Sequence, residues 1–292
     1  MFLIGENINI MSKTIGSAMK ERNPKPIQKM AQAEVTAGID YLDLNIGPAR
    51  RDGDELMQWM VNVVQEVTDK PLSLDTTNPV AMEAGLRTCK SKALINSISL
   101  EQARFETELP MVQKYNASMI GLLWGAEGMP RDANERCSLA VELIYKANEM
   151  GIPNEDIWID PIATPISVEI NQVKACVEFM SMLSEIAPGC RSIVGLSNIS
   201  NGAPVHLRPY LNRTYLVMLM KYGLYSAIVD AFDPELIKVA KGEMPEIVNL
   251  VWRMMDGEQP DFTSLGPKEL EYAKTVRVLT GQLLYAHSWL EI

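Results

Sequence analysis

Eight times along the chain a short apolar run is followed by a longer stretch with helical spacing, and few folds accommodate that repeat. The runs are Phe2–Asn9 (FLIGENIN), Tyr41–Gly47 (YLDLNIG), Leu72–Thr77 (LSLDTT) and Ala93–Ser99 (ALINSIS), then Ser118–Trp124 (SMIGLLW), Ile157–Ala163 (IWIDPIA), Ser192–Asn198 (SIVGLSN) and Ser226–Asp233 (SAIVDAFD). Each is mainly apolar in its first half, as a strand covered on both faces must be. Helical patterns fill the intervals at 26–37, 54–67, 79–89, 100–115, 132–150, 168–186, 209–222 and 234–240, with Pro110 expected to break or shift the fourth. Strands alternating with helices mean a parallel sheet, and eight repeats of one unit predict a closed (β/α)8 TIM barrel. A doubly wound sheet would place a Gly-rich turn after the first strand, where this chain reads NINIMSKT. The barrel is predicted over 1–245 of the 292 residues. Residues 246–292 form a helical extension, packed on the barrel or on a second subunit: a helix at Glu246–Met255, a turn-rich stretch, then a helix opened by Pro267 and running to about Trp289.

In such a barrel the chemistry sits at the C-terminal strand ends. Those ends carry Glu6, Asn7, Asn9, Asp43, Asn45, Asp75, Asn96, Asp160, Ser197, Asn198 and Asp230, with Trp124 and Gly125 closing the fifth strand. No Lys, His or Cys is among them. Schiff-base catalysis wants a strand-end Lys, and metal hydrolysis wants His beside carboxylates. The only histidines are His206, expected on a loop, and His287, expected to pack in the last helix. The four cysteines show no zinc or CxxC spacing and read as idle thiols; no metal is expected. A net charge of −10 argues against nucleic acid as partner. No apolar segment is long enough for a membrane span, and the start lacks the basic n-region of a secretion signal, so a cytoplasmic protein is expected.

A ring of carboxylates and carboxamides suits a flat, polar heterocycle such as a pterin. A carboxylate accepts two adjacent N–H groups side by side, and an Asn reads a mixed donor–acceptor edge. Asp75, Asn96 and Asp160, from three different strands, would surround one ring. Against this stands the plainer reading that a strand-end Asp or Asn caps the next helix or closes an Asx turn. Asn78-Pro79 fits that reading best, and Asp160-Pro161 also admits it.

Together the motifs GENIN (Gly5–Asn9), LDLNIGPA (Leu42–Ala49), LDTTN (Leu74–Asn78), INS (Ile95–Ser97), IDP (Ile159–Pro161), GLSNIS (Gly195–Ser200) and RPYLNRTY (Arg208–Tyr215) resemble the methyltetrahydrofolate:corrinoid-protein methyltransferases, whose barrel is similar to that of dihydropteroate synthase. The resemblance implies a pterin held by Asp75, Asn96 and Asp160. Asn198 would be the catalytic side chain near N5 of the folate, with Asn201 and Arg208 lining the site and Arg208 reaching the folate's acidic tail. It also implies tetrahydrofolate or methyl-tetrahydrofolate as substrate, a corrinoid (cobalamin) carried by a separate partner protein, and a homodimer. No Asp-x-His-x-x-Gly corrinoid signature surrounds either histidine. The direction of methyl transfer stays open at this point. Two other readings remain: a dihydropteroate-synthase-like condensation, although the Asn-x-Thr-Pro-Asp-Ser-Phe loop of that family is absent, and a folate-binding protein without catalysis.

Overall fold

In the computed structural model, which describes residues 1–291, eight parallel strands close into a barrel in sequence order. They are β1 (Phe2–Gly5), β2 (Tyr41–Asn45), β3 (Leu72–Asp75), β4 (Leu94–Ser99), β5 (Ser118–Leu122), β6 (Ile157–Asp160), β7 (Arg191–Gly195) and β8 (Ser226–Val229), with β8 pairing back onto β1. The expected (β/α)8 TIM barrel is thus the observed fold. Helices α1 (Lys13–Lys20), α2 (Pro24–Ala37), α3 (Gly53–Gln65), α4 (Pro79–Thr88), α5 (Gln102–Lys114), α6 (Ala133–Glu149), α7 (Ile170–Ile186), α8 (Arg208–Met220) and α9 (Pro234–Ala240) surround it.

The two-residue period of the strands sorts their side chains into two cores. Leu3, Leu42, Leu44, Leu72, Leu74, Met119, Ile157, Ile159, Val194 and Ala227 point outward into one continuous apolar layer shared with the helices. Ile4, Leu94, Ile120, Trp158 and Ile193 point inward and form a separate cluster inside the barrel, flanked by Tyr41, Tyr225 and Ile228. Arg191 covers this floor, its guanidinium 5.4 Å from the Trp158 ring centroid and 4.7 Å from that of Tyr225. This cluster fills the interior below the mouth.

Several boundaries differ from the sequence expectation. The first strand stops at Gly5 and not at Asn9; Asn9 makes a single bridge to Asn45. The loop NINIMSKT leads into the unforeseen α1, capped by Ser12 and held by buried Ile15, Ala18 and Met19. The seventh strand ends at Gly195, and Leu196–Ser200 turns into a 3-10 helix. Pro110 does not break α5, which runs through it from Gln102 to Lys114.

Beyond the barrel, α10 (Pro245–Met255) and α11 (Pro267–Leu279) lie against α8. Trp252 Nε1 donates to Val217 O at 2.9 Å, and Lys221 Nζ to Trp252 O at 3.1 Å. The last helix stops ten residues short of Trp289, next to Gly281, whose φ of +76° leaves the right-handed region. His287 is therefore outside the helix and exposed. Trp289 folds back and is fully buried, its Nε1 donating to Thr275 Oγ1 at 3.1 Å. Trp289→Ala should cost about 3 kcal/mol or more of stability, as for other buried tryptophans. Urea unfolding checks this: the midpoint falls at constant slope, whereas a loss below about 1 kcal/mol would mean the terminal segment contributes no packing.

Candidate active site

The site is what the inward parity becomes one step above the floor. Ile4 is followed two residues on by Glu6, Tyr41 by Asp43 and Asn45, Leu94 by Asn96, Trp158 by Asp160, Ile193 by Gly195 and Ile228 by Asp230. Strand register sets neighbours level with each other: Asn45 beside Asp75, Asp75 beside Asn96, and Leu122 beside Asp160. An apolar floor therefore changes into a polar mouth within one residue pair.

Asp43 is the buried centre of one half of the ring. Its Oδ1 accepts from Ser73 Oγ at 2.6 Å and from Asn96 Nδ2 at 3.0 Å. With Nδ2 so engaged, Asn96 presents its Oδ1 as an acceptor. Asn45 Nδ2 donates to Asp75 Oδ2, while Asn45 Oδ1 accepts from Gly47 N at 3.0 Å. Burial raises both Asp43 and Asp75 above the ordinary carboxylate range. The neighbouring Asp43 carboxyl adds to the cost for Asp75, and Arg104 on α5 offsets part of it.

Across the mouth, burial pushes Asp160 up to about 6, against the pull of the Ile162 and Gly195 backbone amides. Its Oδ1 takes the Ile162 N–H at 2.8 Å, so the Asx-turn reading holds for this residue at the same time as its place in the ring. Asn78, as expected, serves the helix: its Oδ1 accepts from Val80 N at 3.0 Å at the start of α4. The loop after Asp160 is fixed by Arg136, a fully buried cation of α6 that nothing in the sequence singled out. It donates to Pro161 O at 2.8 Å, Asp132 O at 3.1 Å and Gln172 Oε1 at 2.7 Å.

The first three positions of the motif GENIN now have a reason. Gly5 points outward, and a Cβ there would lie 2.5 Å from Glu34 Oε1, so any larger residue would have to displace that buried carboxyl. Glu34 accepts from Asn7 N at 2.9 Å. Glu6 points inward, where Ser197 Oγ lies 2.6 Å from its Oε1. Asn7 closes the barrel seam, donating Nδ2 to Asp230 Oδ1 at 2.9 Å and accepting from Ala231 N at 3.0 Å.

On the β7 side, Gly195 clears space: a Cβ there would sit 3.1 Å from Asn198 Nδ2. Asn198 leaves the strand on the 3-10 turn and folds its amide over this inward position, exposed at the mouth. Asn201 joins it, donating Nδ2 to Asn198 Oδ1 at 3.3 Å. Arg208 opens α8 and donates Nε to Ala203 O at 3.0 Å; it shares no hydrogen bond with the ring. Asp75, Asn96, Asp160 and Asn198 are thus gathered at one end, with Asn201 attached and Arg208 at the edge. A surface cleft of about 340 Å³ elsewhere, lined by Lys174, Val177, Met218, Tyr222 and Leu279, includes none of these residues.

The model of the family described as "Pterin binding enzyme" matches residues 5–230, from the first glycine of β1 to the aspartate that follows β8. The chain belongs to the pterin binding enzyme family. Among curated members, it is 28% identical over 232 residues to the methylcorrinoid:tetrahydrofolate methyltransferase of Eubacterium limosum, covering 79% of this chain and 85% of that one. It is 27% identical over 242 residues to the methionine synthase of Mycobacterium tuberculosis, of which it spans 20%. Solved dihydropteroate synthases share the fold: one from Thermus thermophilus superposes with a TM-score of 0.58 at 19% identity over 77% of this chain and 90% of that one, and another, with a product bound, at 0.63 and 17% over 84% and 94%.

Burial raises Glu34 to about 8 from an ordinary 4.5, with Asp43 and Asp230 adding to it. Its folded value lies above its unfolded one. The stability it contributes is therefore complete below about pH 4.5 and is lost as pH rises through about 8. Glu34→Gln removes this proton from the balance, so its unfolding free energy should fall less than the parent's between pH 5 and pH 9. Denaturant titrations across that range decide it; parallel curves would mean Glu34 titrates alike in both states.

Proposed function

We propose that this protein moves a methyl group between N5 of methyl-tetrahydrofolate and the cobalt of a corrinoid carried on a separate protein. The observation that carries the reading is the donor and acceptor set of the mouth: Asp75 and Asp160 as acceptors, with Asn96 showing Oδ1 between them and Asp43 holding it there. A pterin's amino-pyrimidinone edge offers adjacent N–H groups to such acceptors. The relative from Eubacterium limosum, whose name pairs a methylcorrinoid with tetrahydrofolate, supports methyl transfer over pterin condensation.

The rim supports a macromolecular second substrate. Met11, Trp124, Val168, Val205 and Phe232 are large, apolar and exposed on the loops after β1, β5, β6, β7 and β8, and Val80 is exposed in the first turn of α4, which follows β3. Exposed apolar side chains gathered around a polar pocket mark a docking face. The corrinoid supplies the nucleophile when the folate is donor, and the methyl when it is acceptor. This chain's part is to hold the pterin flat, to exclude water, and to stabilise N5. In our reading Asn198 does the last, its amide fixed over Gly195 as a preorganised dipole, and Arg208 meets the folate's acidic tail from the edge.

The test mixes the protein with methyl-tetrahydrofolate and a Co(I) corrinoid protein and follows the cobalt absorbance. The Co(I) band should disappear with the parent. With Asn198→Ala it should disappear on the order of 100-fold more slowly while folate affinity changes little, the pattern for one lost oxyanion-hole-type donor. Folate binding with no spectral change would favour a storage protein. Turnover of a pterin pyrophosphate would favour the synthase reading, and equal losses of rate and affinity would remove Asn198 from its role.

A further inference from the structure

Methyl transfer at N5 leaves a proton unaccounted for. When the folate is the donor, the N5–CH3 bond breaks and its electron pair stays on nitrogen, so N5 must gain a proton; in the other direction N5–H must lose one. The strand ends hold no His, Lys or Cys to carry it. The carriers left are carboxyls, and most are held by at least one N–H donor, which cannot take a proton onward. Asp160 takes the Ile162 amide, Asp43 takes Ser73 and Asn96, Asp75 takes Asn45, and Asp230 takes Asn7 and the Phe232 amide.

Glu6 is different. Its one hydrogen-bond partner is a hydroxyl, Ser197 Oγ at 2.6 Å, which can donate or accept by rotating. The charged groups that face it are Asp43 on β2, Asp230 after β8 and, behind the strand, Glu34 on α2. All are acidic, so each favours a neutral Glu6. Ser197 is the residue immediately before Asn198, on the turn that carries that amide over the mouth.

We propose that Glu6 stores the proton exchanged with N5 and passes it through the Ser197 hydroxyl. This rests on the methyl-transfer reading above. With folate as donor, Ser197 gives its hydroxyl proton to N5, directly or through one water, and takes the Glu6 proton in its place. The bonds formed are N5–H and Co–C; those broken are N5–CH3 and the Glu6 O–H, and Glu6 is left a carboxylate. The reverse reaction runs the same chain backwards and needs Glu6 ionised. Burial, the largest influence on it, places Glu6 at about 7, where both forms are accessible near neutral pH.

Glu6→Gln and Ser197→Ala test this in single turnovers with methyl-tetrahydrofolate and a Co(I) corrinoid protein. In the parent the rate should fall as pH rises through about 7. In Glu6→Gln it should drop on the order of 100-fold and lose that pH dependence, with folate affinity within about twofold of the parent. Ser197→Ala should slow transfer similarly while Glu6 remains. A readout free of turnover is the carboxylic-acid C=O band in infrared difference spectra between pH 6 and pH 8: the parent should lose a band that Glu6→Gln lacks from the start. A Glu6→Gln variant with the parent's rate and pH profile overturns the relay and leaves the methyl-transfer reading standing. So does a rate loss matched by lost folate binding, or an unchanged infrared difference. A parent that transfers no methyl at all overturns both.

Discussion

Everything at the mouth depends on one constraint: in a closed parallel barrel each strand alternates inward and outward, and all eight must agree in register. The pairs Ile4/Glu6, Tyr41/Asp43, Leu94/Asn96, Trp158/Asp160, Ile193/Gly195 and Ile228/Asp230 show that agreement. A one-residue slip in any strand would move its polar residue into the apolar layer beneath the helices. The floor of Trp158, Tyr225 and Arg191 then does two things. It closes the barrel below, and it keeps the polar ring from being solvated from that side, which is why the carboxyls above it are held away from their ordinary ionisation.

Burying several carboxyls together is costly unless each is hydrogen-bonded, neutralised or later met by a ligand. The chain uses all three routes. Asp43 is bonded by Ser73 and Asn96, while Asp75, only partly offset by Arg104, is raised towards neutrality together with Glu6 and Glu34. A ring that acts on a pterin N–H edge would repay part of this cost on binding.

The barrel was legible in the sequence because its signal is repeated eight times, and because strands buried on both faces leave unbroken apolar runs such as SMIGLL. The ring was legible for a related reason: polar residues that end apolar runs have only the mouth to occupy. What stayed hidden was decided by tertiary contacts. Nothing local to Arg136 shows that its partners are Pro161, Asp132 and Gln172, and nothing local to Glu34 shows that it faces Gly5. Leu196–Asn198 reads as the end of a strand because Leu196 continues the apolar run, yet it opens a 3-10 turn in which Leu196 and Ile199 are buried. The helix α1 was missed because its apolar residues are few and follow a polar loop; Ser12 at its cap was the available clue.

The central claim is that this ring is a pterin site, and calorimetric titration of methyl-tetrahydrofolate into the parent, Asp75→Asn and Asp160→Asn tests it most directly. Loss of a charge-assisted hydrogen bond is worth about 1.5–3 kcal/mol. Each variant should therefore bind on the order of 10- to 100-fold more weakly than the parent while remaining folded. Variants that bind as tightly as the parent would contradict the claim and place the folate, if it binds, somewhere other than the barrel mouth.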